Sequence, residues 1–360
     1  MGRRVLDESD IRSRPSRRGT RPRTKQRPAH EDAVDGMVTA VDRGRYTLLL
    51  DEDGPDERVV VAMKARELTR DRVVCGDRVD VVGDTTGDGG TLARIVRIGE
   101  RRTVLRRTAD DTDPYERIVV ANADQLVIVT ALAQPEPRTG FIDRAVVAAY
   151  DAGMDVLLCL TKADLASPDE LRELYEPIGV HVVVTHREPG ADGSGPVVGV
   201  EVLRAAVAGR VSVFLGHSGV GKSTLVNALV PGTGRATGHV NDVTGRGRHT
   251  STSAVALRLP LPDGGLPAGA RRGWVIDTPG IRSFGLAHVE VERVLRAFED
   301  LDAVAVERCP RGCTHLADAP DCALDEWVDE APDDTTREAR AARLSSFRRL
   351  VEARSSGERD

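Results

Sequence analysis

The sequence predicts a multidomain fold: a small antiparallel β-barrel, a central α/β domain with a parallel sheet, and an α-rich C-terminal domain. Three observations predict it. Short alternating apolar runs separated by Gly and Asp turns fill residues 36–101, strand-like and helix-like segments alternate after that, and beyond Val289 the chain turns helical and charged around three cysteines and a histidine. At 360 residues there is material for two or three cores.

The first element, residues 1–34, is rich in Arg, Ser, Pro and Thr and too poor in apolar side chains to offset the entropy of ordering, so a disordered basic tail is expected. Residues 1–28 carry ten Arg or Lys against three acids, which leaves −13 of the net −6 on the rest of the chain. Such a tail suits either phosphate neutralisation on a nucleic acid or solubility alone. No apolar run approaches the ~18 residues of a membrane span, and no apolar stretch follows the basic N-terminus as in a secretory signal, so the expected compartment is the cytoplasm.

The barrel is expected over residues 35–103. Five runs, GMVTAV, YTLLLD, RVVVAM, DRVDVV and ARIVRI, have the period-two pattern of half-buried strands and suggest an OB-fold. OB barrels commonly bind RNA through a basic, partly aromatic face. Here Tyr46 is the only aromatic, so any RNA contact falls to arginines and the tail, and a protein-docking module is the alternative.

Between residues 104 and 288 the pattern is that of a parallel sheet covered by helices: QLVIVTAL, FIDRAVVAAYDAG, DVLLCLTKADL, SPDELRELYEPIG, VHVVVTH, VEVLRAAVAG, RVSVFLG, KSTLVNALV and GWVIDTPG in turn. Residues 189–195 and 262–269 read as loop insertions.

The chemistry lies at the ends of those strands. GHSGVGKS at 216–223 follows an apolar strand and opens a helix, the context that makes a P-loop. Backbone N–H groups of Gly216, His217, Ser218, Gly219, Val220, Gly221 and the helix start through Thr224 would cradle phosphates. Lys222 would reach the β and γ phosphates as the catalytic cation, and Ser223 would ligate Mg²⁺. In DTPG, Asp277 would hold the magnesium shell and the N–H of Gly280 would meet the γ-phosphate. Thr161, Lys162, Ala163 and Asp164 resemble the Asn-Lys-x-Asp base motif of GTPases. The Asp164 carboxylate would accept from the guanine ring N–H and exocyclic amine, while Lys162 would lie over the base. The order base motif, P-loop, switch is a circular permutation of a GTPase domain. In Ras-like enzymes a Gln follows the switch glycine to orient water; Ile281 stands there and can neither donate nor accept a hydrogen bond.

The C-terminal domain, residues 289–360, contains Cys309, Cys313, His315 and Cys322, the Cys₃His set of a closed structural zinc site, followed by an amphipathic helix near residues 337–356. Cys75 and Cys159 lie alone in apolar runs and are expected in the core.

With CGDRVDVV at 75–82, RRTVLRR at 101–107, NADQLVIV at 122–129, GRGRHTSTS at 245–253 and DTPGIRSFGL at 277–286, the chain resembles the ribosome small-subunit-dependent GTPase family over about residues 35–350. These are bacterial circularly permuted GTPases that act late in maturation of the small (30S) ribosomal subunit. The resemblance implies GTP/GDP, Mg²⁺ and one Zn²⁺ as ligands, and the 30S subunit with its 16S rRNA as partner. It also implies turnover stimulated by that subunit, a first switch in which Thr250 or Thr252 ligates Mg²⁺, and His249 as the group that positions water. A monomer is expected. Two rivals remain open from the residues themselves: an RNA-binding switch in which hydrolysis is incidental, and an ATP-using P-loop kinase, which would have no use for Asp164.

Overall fold

The runs read as barrel strands form β1 (Val34–Asp42), β2 (Arg45–Leu50), β3 (Arg58–Lys64), β4 (Arg78–Gly83) and β5 (Ala93–Ile98). The computed structural model describes residues 30–68, 71–107, 117–190, 195–232, 254–262, 265–267, 269–278, 286 and 289–355. The tail expected over 1–34 therefore lies outside the described residues up to Ala29. The barrel closes in the order β1-β2-β3-β5-β4-β1, with β3 and β5 parallel and the other neighbours antiparallel. Its interior is built by alternate residues such as Val38, Leu48, Leu50, Val60, Val81 and Ile95. Tyr46 belongs to this core and is buried, so the barrel's one aromatic has no face free for stacking. Outward on β3, Val59, Val61 and Met63 are exposed instead.

A hairpin that the sequence reading did not resolve, β6 (Val104–Arg107) with β7 (Arg117–Ala121), leads into the α/β domain. There follow β8 (Gln125–Ala131), α1 (Thr139–Asp151), β9 (Asp155–Thr161), α2 (Asp169–Tyr175), β10 (His181–Val184), a small ladder of β11 (His186–Arg187) with β12 (Val197–Val198), α3 (Val200–Val207), β13 (Val211–Leu215), α4 (Lys222–Leu229), β14 (Val255–Arg258) and β15 (Trp274–Asp277). The sheet order is β10-β9-β8-β13-β15-β14, parallel except for β14. β8 is buried at every residue, as a central parallel strand covered on both faces must be.

β14, too short to stand out in the sequence, pairs with β15 on one side and, at Ala40↔Val255, with barrel strand β1 on the other. One continuous sheet of eleven strands thus runs through both domains.

The motif-like runs at 75–82, 101–107 and 122–129 meet at this junction. Asp77 is fully buried, accepts from Arg101 Nε at 2.7 Å and Nη2 at 2.8 Å, and accepts from the Val74 N–H at 2.8 Å. Gly76 has φ +87°, and a Cβ there would lie 2.0 Å from the Ala121 carbonyl oxygen, so only glycine lets the two backbones approach. Asn122 donates to the Gly76 carbonyl at 3.0 Å and accepts from the Arg102 N–H at 2.9 Å.

The C-terminal segment forms α5 (Val291–Leu295), α6 (Glu299–Arg308), α7 (Ala323–Asp329) and α8 (Asp334–Ser355). Its apolar residues Phe298, Leu344, Phe347 and Leu350 join the core under α1. The segment leans on the α/β domain through α8: Arg349 pairs with Asp143 and donates to the Leu174 carbonyl at 3.1 Å, and Arg343 donates to the Pro177 carbonyl at 2.7 Å, while Arg343–Asp300 and Arg348–Asp325 tie α8 to α6 and α7. Burial raises the Asp143 carboxyl above its ordinary value, a cost partly offset by Arg349 and by the Tyr175 hydroxyl, which donates to it at 2.9 Å.

Candidate nucleotide site

Because β9, β13 and β15 are parallel, their C-terminal ends share one edge of the sheet, the edge where open α/β sheets bind ligands. The edge carries Gly216 and Asp277 on neighbouring strands, with Thr161 one strand further on, beyond β8. Gly216 must be glycine, since a Cβ would lie 2.5 Å from the Val129 carbonyl oxygen; Gly219 and Gly221 turn the loop at φ +83° and +93°. Gly221 caps α4 without a side-chain hydrogen bond, so no capping side chain competes for the first-turn N–H groups that an anion would take. His217 packs tilted against Phe141 of α1 at 4.2 Å between ring centroids, Ser218 is exposed, Val220 is buried, and Ser223 and Thr224 sit half-buried in the first turn of α4.

Lys222 Nζ, largely buried, is ion-paired with Asp277 Oδ1. The next residue, Thr278, donates its hydroxyl to the Phe214 carbonyl at 2.8 Å, which fixes the end of β15 against the strand that carries the P-loop.

The base motif is tied to the P-loop by one bond. The hydroxyl of Thr161, a residue only 5% exposed, donates to the Val220 carbonyl at 2.6 Å. This threonine stands where the usual motif has an asparagine, and it spends its hydroxyl on the phosphate loop. Lys162, at φ +58°, donates to the Gln134 carbonyl of the loop after β8; Ala163 N–H donates to the Thr185 carbonyl at 3.3 Å, and Asp164 is exposed at the rim. Thr185, buried just after β10, completes this rim by its carbonyl and was missed in the sequence reading. The signal available was a fourth apolar strand ending at the same edge. His249, Thr250, Thr252, Gly280 and Ile281 lie outside the described residues.

Away from this edge, the ligand atoms of Cys309, Cys313, His315 and Cys322 all lie within 4.8 Å of one another. His315 Nδ1 is 3.6 Å from Cys309 Sγ and 3.9 Å from Cys322 Sγ. Three thiols and an imidazole at these separations fit a tetrahedral zinc with Zn–S bonds of about 2.3 Å. Burial lowers the His315 pKa, which keeps the ring neutral, and pushes the Cys322 thiol up to about 11, so a cation entering here must displace protons from sulfur. Arg348 holds the loop from α8, donating to the His315 carbonyl at 3.0 Å while paired with Asp325.

The phosphate loop, the base loop tied to it and the acid that meets the P-loop lysine define a P-loop GTPase domain in permuted order. The RsgA GTPase family profile matches residues 98–287. The protein called small ribosomal subunit biogenesis GTPase RsgA in Ectopseudomonas mendocina is 37% identical over 289 residues, covering 78% of this chain and 74% of that one. Its namesake in Chlorobaculum parvum is 32% identical over 85% of this chain and 95% of its own. Among solved structures, YjeQ from Thermotoga maritima superposes with TM-score 0.58 at 25% identity, over 88% of this chain and 98% of that one. YloQ, described as a circularly permuted GTPase, gives 0.56 at 19%, over 89% and 97%, which speaks to the fold alone. The chain belongs to the RsgA GTPase family and is a GTP hydrolase.

The Thr161 tether makes a prediction. Thr161→Val leaves the Val220 carbonyl buried without its donor, a cost of about 1–3 kcal/mol, and is expected to weaken GDP binding roughly ten-fold in calorimetry, whereas Thr161→Ser stays near wild type. Unchanged affinity in the valine variant would show that the bond does not organise the site.

Proposed function

We propose that this protein hydrolyses GTP while bound to the small ribosomal subunit, acts in a late step of that subunit's maturation, and is accelerated by it. The names of its relatives support the partner, and the observation that carries the chemistry is the pairing of Lys222 with Asp277 beside a base loop tied to the P-loop.

In this reading the α4 N-terminus and the P-loop N–H groups hold the phosphates, and Lys222 leaves Asp277 for the β and γ oxygens as GTP enters. Asp277 and Ser223 then face the magnesium shell, and Asp164 selects guanine. A magnesium ion held there would neutralise charge that builds up on the phosphates. His249 positions the attacking water, since Ile281 has no hydrogen-bonding group, and Thr250 or Thr252 with Gly280 closes around the γ-phosphate. Slow turnover is expected until a partner completes the site. No helix among the described residues is long and apolar enough to cross a membrane, which is compatible with work on ribosomes in the cytoplasm. The chain acts as a monomer, and 16S rRNA is the surface it touches.

The test is steady-state GTP turnover with and without 30S subunits. Stimulation of about ten-fold or more, some 1.4 kcal/mol of barrier, is expected, with loss of the gain in His249→Ala. Turnover that stays flat with subunits present contradicts the reading.

We also propose that Cys309, Cys313, His315 and Cys322 hold one structural zinc. Elemental analysis of the purified chain should give one zinc per protein, and a strong chelator should lower its melting temperature. A metal-free protein with the same melting curve would exclude it.

A further inference from the structure

The loop between β2 and β3, DEDGPDE at 51–57, has five acids in seven residues, a composition that repels a phosphate backbone. Asp53, Glu57 and one oxygen of Glu52 turn onto the α/β domain instead, while Asp51 accepts from the Asp56 N–H within the loop and Glu52 also pairs with Arg78 of the barrel. Arg258, at the end of β14 with its side chain 12% exposed, is ion-paired with both Asp53 and Glu57. Arg272 reaches the same Asp53 at 3.5 Å, and the Trp274 indole N–H donates to Glu52 Oε1 at 2.6 Å. The Arg258 guanidinium also lies 5.6 Å from the ring centroid of Trp274, its cross-strand partner.

Acids of the barrel therefore hold both strands of the β14–β15 pair at one end. At the other end Val255 pairs with Asp277, and Val255 is itself paired with Ala40 of the barrel. β14 has four residues and forms the outer edge of the α/β sheet. A strand this short is weakly held by one ladder, so the barrel contacts decide where it sits. Asp277 is paired with Phe214 of β13 on one side and with Val255 on the other, so the barrel contacts set one of its two neighbours, and a carboxylate that must meet a cation needs placement to within about 0.5 Å.

We infer that Asp53, Glu57 and Arg258 are positioning residues for Asp277, so that a clamp supplied by the barrel is part of the hydrolytic machinery of the α/β domain. The inference rests on the reading of Asp277 as a carboxylate of the magnesium shell. It gives the acidic loop a purpose that nucleic-acid binding cannot give it.

The experiment uses the full chain and compares Asp53→Asn with Glu57→Gln, Arg258→Gln, the three combined, Arg258→Lys, and Asp277→Asn. GTP kcat, KM and the Mg²⁺ concentration for half-maximal turnover are measured, with melting curves to establish folding. Both clamp variants are expected to keep KM within about two-fold, to lose about five-fold in kcat, and to need about five-fold more Mg²⁺. The combined variant should lose clearly less than the product of the two losses, because the Arg258 pairs with Asp53 and Glu57 can be broken only once while the acid variant alone also removes the Arg272 contacts, and Arg258→Lys should recover a large part of the loss. Wild-type kcat and Mg²⁺ dependence in the clamp variants, or losses that multiply in the combination, overturn the clamp. Where one clamp variant does not fold, the other decides: wild-type kcat and Mg²⁺ dependence count against the clamp, and a loss of about five-fold in both with KM nearly unchanged counts for it. If Asp277→Asn itself turns over normally with unchanged Mg²⁺ dependence, the reading of Asp277 falls and the clamp with it. If only Asp277→Asn is impaired, the clamp alone falls.

Discussion

The adjacency of β13 to β8 and β15 is the constraint on which the site depends. A parallel sheet brings together whatever follows the C-terminal ends of neighbouring strands, and it does so without regard to the order in which the chain visits them. Here the chain enters the α/β sheet at β8, reaches the base loop after β9, and only later lays down β13 with the P-loop and β15 with Asp277. A buried hydroxyl, from Thr161 to the Val220 carbonyl, and a buried ion pair, Lys222 with Asp277, then join loops separated by 59 and 55 residues. The permutation costs the site nothing in geometry because the sheet, not the sequence, sets the neighbours.

Permutation does change what surrounds the site. The chain leaves the barrel after β5, reaches β8 through the β6–β7 hairpin and returns to the barrel through β14, so the barrel is joined to the sheet at both its covalent entry and its outer edge. The junction is specified twice over: by the buried Asp77–Arg101 pair with Gly76 against Ala121, and by the acidic loop against Arg258, Arg272 and Trp274. On the opposite flank, α8 anchors the Cys₃His loop through Arg348 and the α1–α2 face through Arg349. The C-terminal segment is thus bound into the core beneath α1.

Much of this was legible in the sequence. The barrel strands, the alternating α/β elements and the loops that carry chemistry announce themselves through periodicity and through glycine-rich signatures whose residue types are dictated by phosphate and metal geometry. The parts that were not legible share a cause. β14 has four residues and no clear alternation, β6 and β7 are interrupted by residues 108–116, and Thr185 marks a strand end without a signature of its own. Whether Thr161 read the base or braced the P-loop was hidden as well, because a hydroxyl's partner is decided by packing across 59 residues of chain. The acids at 51–57 looked like an ordinary turn, and their role emerges only when the hairpin they grip is in place.

The central claim is that a loop lying upstream in sequence reads the base of a nucleotide held by a loop downstream. Asp164→Asn tests it most directly through the relative affinities for GDP and XDP, since an Asn amide donates where guanine also donates but xanthine presents a carbonyl. The account predicts that the variant loses GDP affinity and gains XDP affinity, reversing a preference of about ten-fold or more. A variant that still prefers GDP, or that loses both nucleotides equally, would contradict it.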